Sequence, residues 1–234
     1  MLPFQIHRKG IEDMPPKPKF TREEIAAAAL EIVKESGVDA LTARNLGERL
    51  GTSSRPIFTA FKSMREVKWA ARELALREFE AYIGDFSGYT PAFKRIGMLM
   101  VSYAIHEPEL YKLLFMQEHA EGQRFEDTIR DLGSMTDICT TLIQRDYSLS
   151  PEEAYVLFEQ MWVHAFGMGA LCAMKVCDFT EEEIAQKLGQ IFTGMVMMIQ
   201  SGGLNSAVVR PVPADSDESA RLSGQSIPGG QTSC

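Results

Sequence analysis

The chain has 234 residues, 45% of them hydrophobic, and a formal net charge of −8. That length suits one large or two modest domains with a real core. The charge excludes a uniformly basic nucleic-acid binder, and the lack of any run of about 18 apolar residues argues against a transmembrane helix.

The charge is unevenly spread. Residues 1–72 carry 13 Lys or Arg against 9 Asp or Glu, a surplus of +4, whereas residues 73–234 carry 11 against 23. A basic end and an acidic body predict one DNA-facing end. Cys139, Cys172, Cys177 and Cys234 form no CxxC pair and no disulfide framework, so reduced thiols in a cytoplasmic protein are expected. The N-terminus shows no apolar signal-peptide core. Aromatic and β-branched residues do not alternate, which predicts an all-α fold.

In chain order, residues 1–19 read as a disordered arm, with Pro3, Pro15, Pro16 and Pro18 interleaved with Lys17 and Lys19. Thr21 and Glu24 make a capping box, and Ile25, Ala28, Ala29, Ile32 and Val33 recur at helical spacing up to Gly37, a candidate left-handed cap. Thr42 caps a second short helix that buries Leu46 and Leu50 and stops at Gly51. Ser53 or Ser54 starts a third, which buries Ile57 and Phe61. Residues 20–63 thus predict a helix-turn-helix DNA-binding domain. Residues 64–202 predict a helical regulatory and dimerisation domain, with helices at about 64–83, 91–105, 108–116, 123–146, 151–174 and 180–202, each opened by a hydroxyl cap with Pro or acids in its first turn. Residues 203–234, rich in Gly, Ser and Pro, predict a disordered tail.

Two helices as short as the second and third cannot stand alone in water. A helix that enters the major groove presents short polar side chains or Arg near its N-terminus. Ser53, Ser54, Arg55 and Thr59 meet that demand, while Ile57 and Phe61 face the core. Thr42, at the start of the preceding helix, offers free N–H groups to a phosphate. Arg44 and Lys62 complete the predicted DNA contacts, with Arg65 and Lys68 nearby.

The stretch Phe20–Val67, about a fifth of the chain, resembles the DNA-binding domain of the TetR family of transcriptional regulators. The matching residues are Ile25-x-x-x-Ala29-Leu30, Gly37-x-x-Ala40-Leu41-Thr42-x-Arg44-x-Leu46-Gly47-x-x-Leu50-Gly51 and Ser53-x-x-x-Ile57-Phe58-x-x-Phe61. The resemblance implies nine or ten helices: three that read DNA, a linking fourth, and a body that binds a ligand and dimerises. Phe58 and Met64 depart from the family's usual Tyr and Lys, which removes two phosphate contacts that Lys62 and Arg65 are placed to replace. The body is more loosely similar to a subgroup of that family, through Tyr103-Ala104-x-x-x-Glu107-Pro108-x-Leu110-Tyr111-x-x-x-Phe115 and Trp162-x-His164-x-x-Gly167.

Phe115, Met161, Trp162, His164 and Met168 are the predicted effector-pocket residues. A packed, hydrogen-bonded core histidine is the simpler reading of His164, and no paired ligands at zinc spacing occur, so no metal or cofactor is expected. His164 with Cys139 or Cys172 lacks an evident orienting group or oxyanion hole, so no enzyme is expected. Val156, Leu157 or Phe158, Met161, Phe192, Val196 and Ile199 supply the expected dimer face. The resulting expectation is a homodimeric repressor on a pseudo-palindromic operator, released by a small, largely apolar effector. The alternative is a DNA-binding regulator whose body docks a protein or peptide.

Overall fold

Reciprocal capping boxes set three of the helix starts. Thr21 Oγ1 accepts from the Glu24 N–H while the Glu24 carboxylate accepts from the Thr21 N–H. Ser150 with Glu153, and Thr180 with Glu183, repeat this arrangement. Each box satisfies two backbone donors that a helix start would otherwise leave open.

The computed structural model describes residues 19–84, 89, 91–118, 124–130, 132 and 134–203. Among these it contains ten α-helices, one 3₁₀ turn and no strand. The helices are α1 (Arg22–Ser36), α2 (Ala43–Arg49), α3 (Arg55–Ala60), α4 (Met64–Ile83), α5 (Ala92–His106), α6 (Pro108–Phe115), α7 (Phe125–Arg130), α8 (Ser134–Tyr147), α9 (Pro151–Ala173) and α10 (Glu181–Gln200), with the 3₁₀ turn at Val38–Ala40. The fold class is the all-α one expected. The expected tails fall outside the described residues, except Lys19 and Gly203. The chain divides into a unit ending at Val196 and a short one beginning at Met197.

The first three helices share a core of Ile25, Ala29, Val33, Leu46, Ile57 and Phe61, all at most 1% exposed, closed from below by Val67 of α4. Ala28 and Leu50, expected in that core, are only half-buried. The Arg22 guanidinium lies 3.9 Å from the centre of the Phe61 ring and also reaches the Ala60 carbonyl, which straps α1 to the end of α3. In the body, α5 and α9 are the central packed pair, flanked by α4, α6 and α8.

Several details differ from the sequence reading. Gly37 has φ +80° but ψ 169°, an extended conformation open to glycine and not the left-handed cap expected. Gly37 is at once the last cap of α1, its N–H reaching the Val33 carbonyl at 2.8 Å, and the residue that leads into the 3₁₀ turn. The single helix expected over 123–146 is two, α7 and α8. Hydroxyl caps do not open every helix: Pro91 precedes α5 and Glu107 precedes α6, neither with a side-chain cap bond, and Ser54 makes none at the start of α3. Proline inside the first turn of α3 and α6 serves there instead, because its missing N–H has no helical partner to lose.

Candidate functional site

The turn between α2 and α3 is built on two glycines. Gly51 takes φ +63°, the conformation that disfavours a side chain. Gly47 sits inside α2, where a Cβ would lie 2.9 Å from the Thr52 carbonyl oxygen and 3.2 Å from the Ser53 carbonyl carbon. The close approach also lets the Thr52 N–H reach the Gly47 carbonyl at 2.9 Å. Gly47→Ala is therefore expected to push α3 away from α2 and cost about 1–3 kcal/mol of stability. Chemical denaturation measures the loss, and an unchanged midpoint would show that the turn can yield.

Six of the seven predicted DNA-contact residues are exposed on this unit: Thr42, Arg44, Ser53, Arg55, Thr59 and Lys62; Ser54 is half-buried. Their chemical freedom differs. Thr42 Oγ1 is occupied as a cap, accepting from the Asn45 N–H at 3.1 Å. Thr59 Oγ1 donates to the Arg55 carbonyl at 3.2 Å. Arg44 pairs with Glu48 at 3.0 Å on the same helix. Among the described residues, the Arg55 and Lys62 side chains lie in no ion pair, so both cations are available to an outside anion. Phe58, 46% exposed, adds an apolar contact beside them.

The body holds a cavity of about 330 Å³. Its walls come from six helices: Phe79 and Ile83 of α4, Phe93, Ile96 and Met100 of α5, Phe115 at the end of α6, Cys139 and Tyr147 of α8, Phe158, Met161, Trp162 and Ala165 of α9, and Leu188 and Phe192 of α10. Phe93 and Tyr147 meet the Phe192 ring at 6.0 and 4.7 Å between centroids. Of the five predicted pocket residues, Phe115, Met161 and Trp162 line the cavity. Met168 is buried and His164 half-buried, both outside the lining. Positions 158, 161, 162 and 165 share one face of α9, while 164 lies on another, because each residue turns a helix by about 100°.

Residues assigned to a dimer face serve the chain's own interior. Leu157, Phe158 and Met161 are buried, and Phe158, Met161 and Phe192 line the cavity. Sequence reasoning missed Phe79, Phe93, Lys94 and Tyr147 as cavity residues. One signal was legible: Lys94 stands in the first turn of α5, where a cation opposes the helix dipole.

Burial pushes the Cys139 thiol up to about 12 and raises Cys172 as well. Burial thus keeps the Cys139 sulfur in the unreactive thiol form and away from reagents. Iodoacetamide at pH 8 should therefore alkylate exposed Cys177 in the native protein and reach Cys139 only after unfolding. Mass spectrometry decides it, and fast native labelling of Cys139 would contradict the burial. Among the described residues, no three His, Cys, Asp or Glu side chains group as a metal site, and no helix is long and apolar enough to cross a membrane.

No family model matches the chain, and no curated protein matches it. Among solved structures it is similar to a protein with unknown function from Rhodococcus sp. RHA1, with 19% identity, 78% of this chain and 98% of that one covered, and a TM-score of 0.56. It is also similar to a transcriptional regulator from Rhodococcus sp. Rha1, with 14% identity, 78% and 97% covered, and a TM-score of 0.50. The likeness is one of fold.

Proposed function

We propose that this protein is a ligand-responsive transcriptional repressor of the TetR kind, which binds a pseudo-palindromic operator as a homodimer and releases it when an apolar effector fills the cavity. The observation that carries the reading is the α2–α3 unit: a closed hydrophobic core beneath and, on the outside, short hydroxyl side chains with two cations, Arg55 and Lys62, that lie in no ion pair among the described residues. The fold shared with a protein described as a transcriptional regulator supports it.

Two helices run from the three-helix end of the chain to the cavity. α4 begins directly after the α3 segment and, from about 22 to about 28 Å along, contributes Phe79 and Ile83 to the cavity wall. Glu109 of α6 lies against Gly37 at the end of α1, while Phe115 at the other end of α6 meets Phe79 edge-on at 5.3 Å. Arg72 of α4 donates to the Leu114 carbonyl at 3.2 Å, tying the two helices together. A molecule that displaces the Phe79–Phe115 pair moves both, and so alters the distance between the two α3 helices of a dimer. For release, it must favour the non-binding form.

A single recognition helix buries too little surface for strong specific binding. The homodimer is supported by a stripe on α9: Val163 and Leu171 are 44% and 40% exposed, and a Cβ at Gly167 between them would meet nothing. The cavity favours a small-molecule signal over a docked peptide. Footprinting on DNA upstream of the protein's own gene tests the reading. Two protected half-sites about 34–36 Å apart are expected, and even coverage without half-sites would count against it.

A further inference from the structure

We propose that the cavity takes an apolar organic acid, with the carboxylate held at the cavity mouth by Lys94; this rests on the reading of the cavity as an effector site. Among the described residues, Lys94 is the only charged one lining it, and no carboxylate lines it to neutralise that charge. Among the described residues, no acid forms an ion pair with Lys94, although its neighbour Arg95 is engaged by Glu181 at 3.7 Å and by the Tyr89 ring.

The surroundings of the ammonium leave room for a ligand group. Across from it stands Gly189 of α10, where a Cβ would come within 3.9 Å of Lys94 Nζ. No side chain fills that position. Thr193, one turn further on, also lines the cavity and supplies a hydroxyl. The first turn of α5 carries Lys94 and Arg95 and no acid, so both cations face the positive end of the helix dipole. An anion bound there would relieve that repulsion.

One exposed cation suits a singly charged carboxylate better than a phosphate ester with two charges. The remaining walls are aromatic rings, methionines and aliphatic side chains, which suit an alkyl or aryl tail. The volume is at the low end of ligand pockets, consistent with a compact acid.

Calorimetric titration of the full-length protein with decanoate and with decan-1-ol tests this directly. The acid should bind roughly five- to tenfold more tightly than the alcohol. In Lys94→Met, that preference should fall to about one while decanol affinity stays within about twofold. Equal binding by the wild-type protein, or a preference that survives Lys94→Met, would overturn the carboxylate assignment and leave the effector cavity standing. If neither compound binds, the effector reading of the cavity falls together with the assignment. Lys94 is exposed, so the variant should fold, and an unchanged melting temperature checks that it does.

Discussion

Alanine at Gly169 is expected to lower the unfolding free energy by about 3 kcal/mol, the combined effect of overpacking and a broken buried hydrogen bond. Gly169 faces α6 from within α9, and a Cβ there would meet the Tyr111 hydroxyl and lie 2.6 Å from the ring carbon that bears it. Tyr111 cannot swing aside. It is fully buried, its hydroxyl donates to the Phe166 carbonyl at 3.1 Å, and its ring meets Phe115 at 5.0 Å. Relief must come from separating α6 and α9. Because α6 carries Phe115, the same substitution should loosen the cavity wall and weaken effector binding even in protein that remains folded. Urea denaturation gives the stability change. A midpoint within error of the wild type would mean that the α6–α9 seam is softer than its packing indicates.

The second large effect is on DNA. Arg55→Ala should cost about 1–3 kcal/mol per half-site and relax base preference at one position, because Arg reads guanine through a two-pronged bond. Lys62→Ala should weaken every DNA sequence alike and reduce the slope of log affinity against log salt by about one. Arg55 makes no ion pair among the described residues, so little is lost inside the protein when it is removed. Arg44 must first leave Glu48, which makes its truncation the milder change. If the two variants lose specific and random DNA in the same proportion, the division into base-reading and phosphate-binding side chains is wrong.

The first three helices were legible because their signals are local. Thr21 with Glu24, Thr42, Gly51 and the Ile57/Phe61 spacing each act within one or two turns of the chain, and each stands where expected. Gly37 was legible as a special glycine but not in its ψ, which the following turn dictates. The break between α7 and α8 was missed because the apolar period runs through it, with Ile129, Cys139 and Ile143 all buried. The cavity was legible only in part. Phe115, Met161 and Trp162 emerged from one helix face and one resemblance, whereas Phe79, Phe93, Tyr147 and Phe192 meet only through the packing of α4, α5, α8 and α10. For the same reason, the broad apolar side of α9 looked like a dimer face. Phe158, Met161, Trp162 and Ala165 face the chain's own cavity, and among the described residues nothing covers the side through Val163, Gly167 and Leu171.

The α2–α3 unit is proposed to read DNA. Fluorescence anisotropy with purified protein should compare fragments from upstream of its own gene with random DNA at two salt concentrations. Tight, site-selective binding by a dimer, weakening steeply as salt rises, is the expected result. Weak binding that is equal on both DNAs would contradict the claim. Phe58 and Met64 would then mark the loss of phosphate contacts that Lys62 and Arg65 do not replace, and the cavity would be the place to look for function.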